Sequence, residues 1–80
     1  MPPHLSLHCY LQDEAAERPL PCSDVTIQAD PATLRAIARF LPASADTFEQ
    51  AQDRAGMHAH LQDEWAGWQD NFPDLVVVAA

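Results

Sequence analysis

The spacing of apolar residues changes twice along this chain, and the change limits the folds open to it. From His4 to Leu11 the residues alternate, with Leu5, Leu7, Cys9 and Leu11 on one side and His4, Ser6, His8 and Tyr10 on the other. A period of two is the pattern of a strand with one buried face. Residues 12–23 break it with Asp13, Glu14, Glu17, Pro19 and Pro21 and read as a loop. Alternation resumes at Asp24, with Val25, Ile27 and Ala29 inward, and the β-branched content suits a second strand antiparallel to the first.

The period then lengthens. Asp30 can cap free N–H groups, and Pro31 suits a first helical position, where no donor is needed. Leu34, Ile37, Ala38, Leu41, Ala45 and Phe48 follow at steps of three and four, which predicts an inward stripe on a helix. Arg35, Arg39, Asp46, Glu49 and Asp53 fall on its polar side. Pro42 lacks an N–H for the Ala38 carbonyl, yet the stripe keeps its phase across it. This predicts one long kinked helix over about residues 31–54, with Pro42 toward solvent and Gly56 as the stop. A third alternation puts Met57, Ala59 and Leu61 inward and His58, His60 and Gln62 outward. Residues 63–73 connect it to a fourth, continuously apolar strand at Leu75–Ala80. The order ββαββ predicts an α+β fold for residues 1–80 as a single domain. It would have a four-stranded, mainly antiparallel sheet with the helix on one face and the other face open.

Size and charge narrow the function. With 80 residues the chain has room for one small core and little room for a deep substrate cleft. Twelve acidic and four basic residues give a formal charge of −8, and every basic side chain is an arginine. Nucleic acid and anionic membrane surfaces both require clusters of cationic side chains, so neither is an expected partner. A basic protein is favoured. The apolar run Leu75–Ala80 falls far short of the ~18 residues of a membrane span. The first residues lack the charged start and apolar stretch of a secretion signal, so the expected location is the cytoplasm, with Cys9 and Cys22 reduced. Cys9 shares the phase of Leu5 and Leu7 and reads as a small buried hydrophobe rather than a nucleophile.

Two groups of residues invite a binding role. His4 and His8 share the outward side of the first strand, and His58 and His60 that of the third. If those strands are neighbours the imidazoles cluster on the open face. His58, His60 and His8 could then supply three ligands to zinc, although the spacing matches no zinc motif. The simpler expectation is a polar, partly exposed face. Asp63, Glu64, Asp70 and Asp74 surround Trp65 and Trp68, an acidic and aromatic combination suited to an arginine-rich surface. The same tryptophans could instead close the end of a thin core. Two glycines leave no phosphate-cradling loop, and no catalytic centre or cofactor is expected.

Four segments together carry a family resemblance: His4-Leu-Ser-Leu-His-Cys-Tyr-Leu, Asp30-Pro-Ala-Thr-Leu-Arg-Ala-Ile-Ala-Arg-Phe-Leu, His58-Ala-His-Leu-Gln-Asp-Glu-Trp and Phe72-Pro-Asp-Leu-Val-Val-Val. The chain resembles the bacterial immunity protein 32 family, small proteins of polymorphic toxin systems. The resemblance implies an α+β fold and neutralisation of a toxin made by the same or a neighbouring cell. On this reading the protein is not an enzyme. It binds a cognate, basic toxin, such as a nuclease, and occludes its active site. The expected contacts are His8, Tyr10, His58, His60, Asp63, Glu64, Trp65, Trp68 and Asp70. The alternative is a small structural or regulatory domain that self-associates as a homodimer through its open face.

Overall fold

The computed structural model describes Leu5, His8, Cys9 and residues 18–80. The fold is α+β. In chain order it contains β1 (His8–Cys9), β2 (Leu20–Pro21), α1 (Pro31–Gln50), β3 (His58–His60), α2 (Leu61–Glu64) and β4 (Val76–Val78). The strands form two separate antiparallel sheets, β1 with β2 and β3 with β4, instead of the expected single sheet of four.

The second strand is where the expectation fails. Residues 24–30 form no strand, and Val25 and Ile27 are 65% and 53% exposed. β1 pairs instead with Leu20–Pro21, inside the stretch expected to be a loop, with His8 opposite Pro21 and Cys9 opposite Leu20. A proline is tolerated there because a ribbon of two strands consists only of edges. Cys9 is exposed, not buried. The remainder of the expected first strand, apart from the exposed Leu5, lies outside the described residues.

α1 starts where the sequence places it. Asp30 has extended backbone, and its carboxylate accepts from the Thr33 N–H at 3.3 Å and from the Thr33 hydroxyl. Those bonds, the hydroxyl first, hold the Asp30 carboxyl below its ordinary pKa. The helix runs through Pro42, which is exposed as expected. It stops at Gln50, four residues before the expected end, where the Ala51 N–H bonds to the Phe48 carbonyl. Gly56 is therefore not the stop. It sits in the following loop with φ of +84°, a left-handed conformation that side chains with a Cβ disfavour.

The inward face of α1 is also rotated from the expected one. Ala36, Phe40 and Ser44 are buried, with Thr33, Ile37 and Phe48 half-buried beside them. Leu34 and Leu41 are 45% and 47% exposed, and Ala38 and Ala45 face solvent. At 100° per residue, the buried and exposed apolar positions together cover about 200° of the helix, twice the stripe that one packed face requires. With so wide an arc, periodicity locates the apolar half but not the part of it that packs. Phe40 takes the centre. Ser44, one turn on, is admitted because its hydroxyl donates to the Phe40 carbonyl at 2.8 Å.

The last two strands form where expected but are shorter: Leu61 and Gln62, expected in the third strand, begin α2, and β4 covers Val76–Val78 of the expected Leu75–Ala80. β3 and β4 pair His58 with Val78, Ala59 with Val77 and His60 with Val76. Bonds from the Ala79 N–H to the Met57 carbonyl (2.7 Å) and from the Leu61 N–H to the Leu75 carbonyl (2.9 Å) extend the ladder. Ala59 and Val77 are half-buried while His58, Val76 and Val78 are exposed, so the sheet has an inner and an outer face. α2 contacts α1, and Leu61 at its start is the third buried apolar side chain, after Ala36 and Phe40. No helix among the described residues is long and apolar enough to cross a membrane.

Replacing Phe40 with Ala should cost about 3–5 kcal/mol, most of what a domain of this size holds, and urea titration should show a loss of cooperative unfolding. Asp30→Ala should lower the melting temperature at neutral pH. Because the folded carboxyl is depressed, its contribution is present above the unfolded pKa and disappears as pH falls through the folded one. Melting curves of the two proteins should therefore converge in acid, and a gap independent of pH would contradict the cap.

Candidate functional site

A groove of about 470 Å³ lies between α1 and the β3–α2 segment. Ala36, Phe40, Ser44 and Phe48 line one wall, with Arg39 and Thr47 beside them. The other wall is Met57–Leu61, continued by Asp63, Glu64 and Trp65. Five consecutive residues, pointing alternately to both faces of the sheet, can all line one groove only if the strand meets it edge-on. Among the described residues β3 is paired on one side alone. Met57 and Leu61 bond toward β4. In an antiparallel ladder the main-chain groups of the alternate residues, His58 and His60, then face the other edge. Among the described residues that edge has no neighbouring strand.

The side chains of His58 and His60 meet edge to face, with ring centroids 5.2 Å apart. His60 Nδ1 lies 2.6 Å from one Asp74 carboxylate oxygen, while the other accepts from the Gln62 N–H at 3.3 Å. Asp74 thus ties the end of β3 to the first turn of α2, which has no cap from its own preceding residue, His60. The carboxylate of Asp74 occupies the place of an N-terminal cap from a distant part of the chain.

An aromatic cluster closes the adjoining end. The rings of Trp65 and Phe72 stack with centroids 6.2 Å apart, and Trp68 meets Phe72 edge-on at 6.5 Å. The Trp68 backbone N–H closes the turn between Trp65 and Trp68 by donating to the Trp65 carbonyl, and its indole N–H donates to the Pro73 carbonyl at 3.5 Å. The Trp65 indole lies so close over Gly67 that a Cβ there would come within 2.7 Å of the ring. All three aromatic residues are half-buried, so the tryptophans serve the structure while keeping exposed area.

Of the nine expected contact residues, His58, His60, Asp63, Glu64 and Trp65 come together along this groove. Trp68 joins them through Phe72, and Asp70 is exposed in the turn between. His8 does not join, because β1 pairs with β2 and not with β3; the condition for an imidazole cluster and a three-histidine zinc set is not met among the described residues. Tyr10 and His4 lie outside the described residues. Among the described residues no group of three or more His, Cys, Asp or Glu is placed to hold a metal ion. Sequence reasoning turned Phe48 of the α1 wall inward but missed Ala36, Phe40 and Ser44, and it assigned Arg39 to the polar side. It also gave Asp74 no part beyond surrounding the tryptophans.

The family model described as Immunity protein 32 matches residues 24–79, or 56 of the 80 residues. The search of curated proteins and the search of solved structures each returned no match.

Asp74→Ala should cost on the order of 1 kcal/mol, and should speed amide exchange at Gln62 while leaving β3–β4 protected. Gly67→Ala should displace the Trp65 ring, read as a change in tryptophan fluorescence and near-ultraviolet dichroism. Unchanged spectra would contradict the packing of that indole on Gly67.

Proposed function

The chain belongs to the immunity protein 32 family, and from that premise we propose that it binds a cognate toxin and covers its active site, without catalysis of its own. The observation that carries this reading is the groove, where a strand edge with no partner strand among the described residues, two imidazoles, two carboxylates and a half-exposed indole meet on one side of the molecule. A strand edge offers main-chain hydrogen bonds to an extended segment of a partner. The carboxylates and the indole suit arginine and lysine side chains. Trp68 and Asp70 extend the same surface.

The partner is a basic protein. The formal charge of −8 supports this, since opposite fields speed encounter. A nuclease fits best among toxin classes, because a groove built to hold phosphates also attracts carboxylates. The chain acts as a single domain in the cytoplasm, needs no cofactor, and engages neither nucleic acid nor membrane. Self-association through the same surface is the competing reading, and the open edge of β3 would serve it equally well.

Calorimetric titration against the toxin encoded next to this chain, together with a toxin activity assay, tests the proposal. Trp65→Ala should weaken binding by about 2 kcal/mol or more, roughly thirtyfold. Asp63→Lys, on an exposed residue, should slow association and flatten its salt dependence while leaving the fold intact. The absence of both heat and inhibition with the wild-type chain would exclude the toxin reading. A stable dimer by light scattering would then favour self-association.

A further inference from the structure

We propose that Cys9 and Cys22 form a redox-active dithiol that closes to an intramolecular disulfide, fastening β1 to the segment that leads into α1. This inference is independent of toxin binding. The ribbon register sets Cys9 opposite Leu20, and Cys22 directly follows β2, two residues past Leu20, so the alternation carried one residue beyond the strand puts it on the side of Cys9. Both are free thiols, Cys9 exposed and Cys22 half-buried. The Cys22 thiol donates to the Leu20 carbonyl oxygen at 3.8 Å. The neighbouring Cys9 side chain, ahead of burial and the Asp24 carboxylate, raises the Cys22 thiol above its ordinary pKa. A raised thiol holds its proton, so the exposed Cys9 is the one that meets an oxidant first, and Cys22 is placed to resolve the product.

The oxidant is a small-molecule disulfide such as oxidised glutathione. The Cys9 thiolate attacks one of its sulfurs, the glutathione S–S bond breaks, and one glutathione thiolate leaves. Cys22 then loses its proton and attacks the Cys9 sulfur of the mixed disulfide, expelling the second glutathione. Two protein thiols are oxidised, one glutathione disulfide is reduced, and the two cysteine protons end on two glutathione thiols. The purpose follows from the ribbon. Two residues per strand are too few to hold two strands together unaided, and a covalent link would restrict the unfolded chain instead.

The test equilibrates the full chain with mixtures of reduced and oxidised glutathione, in buffer and in guanidinium chloride, followed by acid quench, alkylation and mass analysis. Expected in buffer is a species lighter by two hydrogens that yields a Cys9–Cys22 linked peptide. Its formation constant should exceed that in denaturant by roughly tenfold or more, because the fold raises the effective concentration of one thiol at the other. In Cys22→Ser, Cys9 should retain a glutathione adduct that the wild-type chain releases. Equal constants in the two solvents would overturn the proposal. So would accumulation of glutathione adducts or disulfide-linked dimers in the wild-type chain. The solvent comparison uses the wild-type protein alone, so it decides the question even if the variant does not fold.

Discussion

The contact between α1 and α2 is the constraint on which the other features depend. Ala36, Phe40 and Leu61 are the buried apolar side chains among the described residues, and no large side chain there is sealed completely from water. Once Phe40 turns inward, Leu34 and Leu41 must turn outward, since a helix separates them by most of a half-turn. Leu61 follows β3 directly, so seating it beside α1 brings the edge of β3 alongside the helix and opens the groove. The geometry of the candidate site is therefore set by the packing of one aromatic and one leucine side chain.

With little apolar burial available, polar contacts take over at the ends of elements. Asp30 secures the start of α1, Ser44 satisfies its own buried hydroxyl on the helix, and Asp74 joins the end of β3 to the start of α2. Each is short-range or bridges adjoining elements, and each satisfies a donor or hydroxyl that would otherwise lack a protein partner. Asp74 is the least replaceable in kind, because one carboxylate serves an imidazole and a helix N-terminus at once.

The parts of the fold legible in the sequence are those governed by local rules. The Asp30–Pro31 entry, the passage of the helix through Pro42 and the presence of strands at His58–His60 and Val76–Val78 follow from capping chemistry, phase and apolar pattern, whereas which strands pair does not. The parts that were not legible depend on choices between equivalent patterns. The segment Asp24–Ala29 alternates as a strand should, yet alternation cannot state whether a partner edge is available, and Leu20–Pro21 takes the place beside β1. The wide apolar arc of α1 likewise admits more than one packed face. At the candidate site, the run from His58 to Trp65 was readable as a chemical cluster. Its opposite wall was not, because that depended on the rotation of the helix.

The uncovered flank of α1 has a colloidal consequence. Leu34, Ala38, Leu41 and Ala45 form an apolar strip on a molecule whose formal charge is −8. At neutral pH, mutual repulsion keeps such strips on separate molecules apart. Near the isoelectric point of about 4.5 that repulsion vanishes, and nothing then opposes the meeting of two oily surfaces. The surplus of carboxylates thus acts as a dispersant for the protein as well as an attractant for a cationic partner, and acidification removes both actions together.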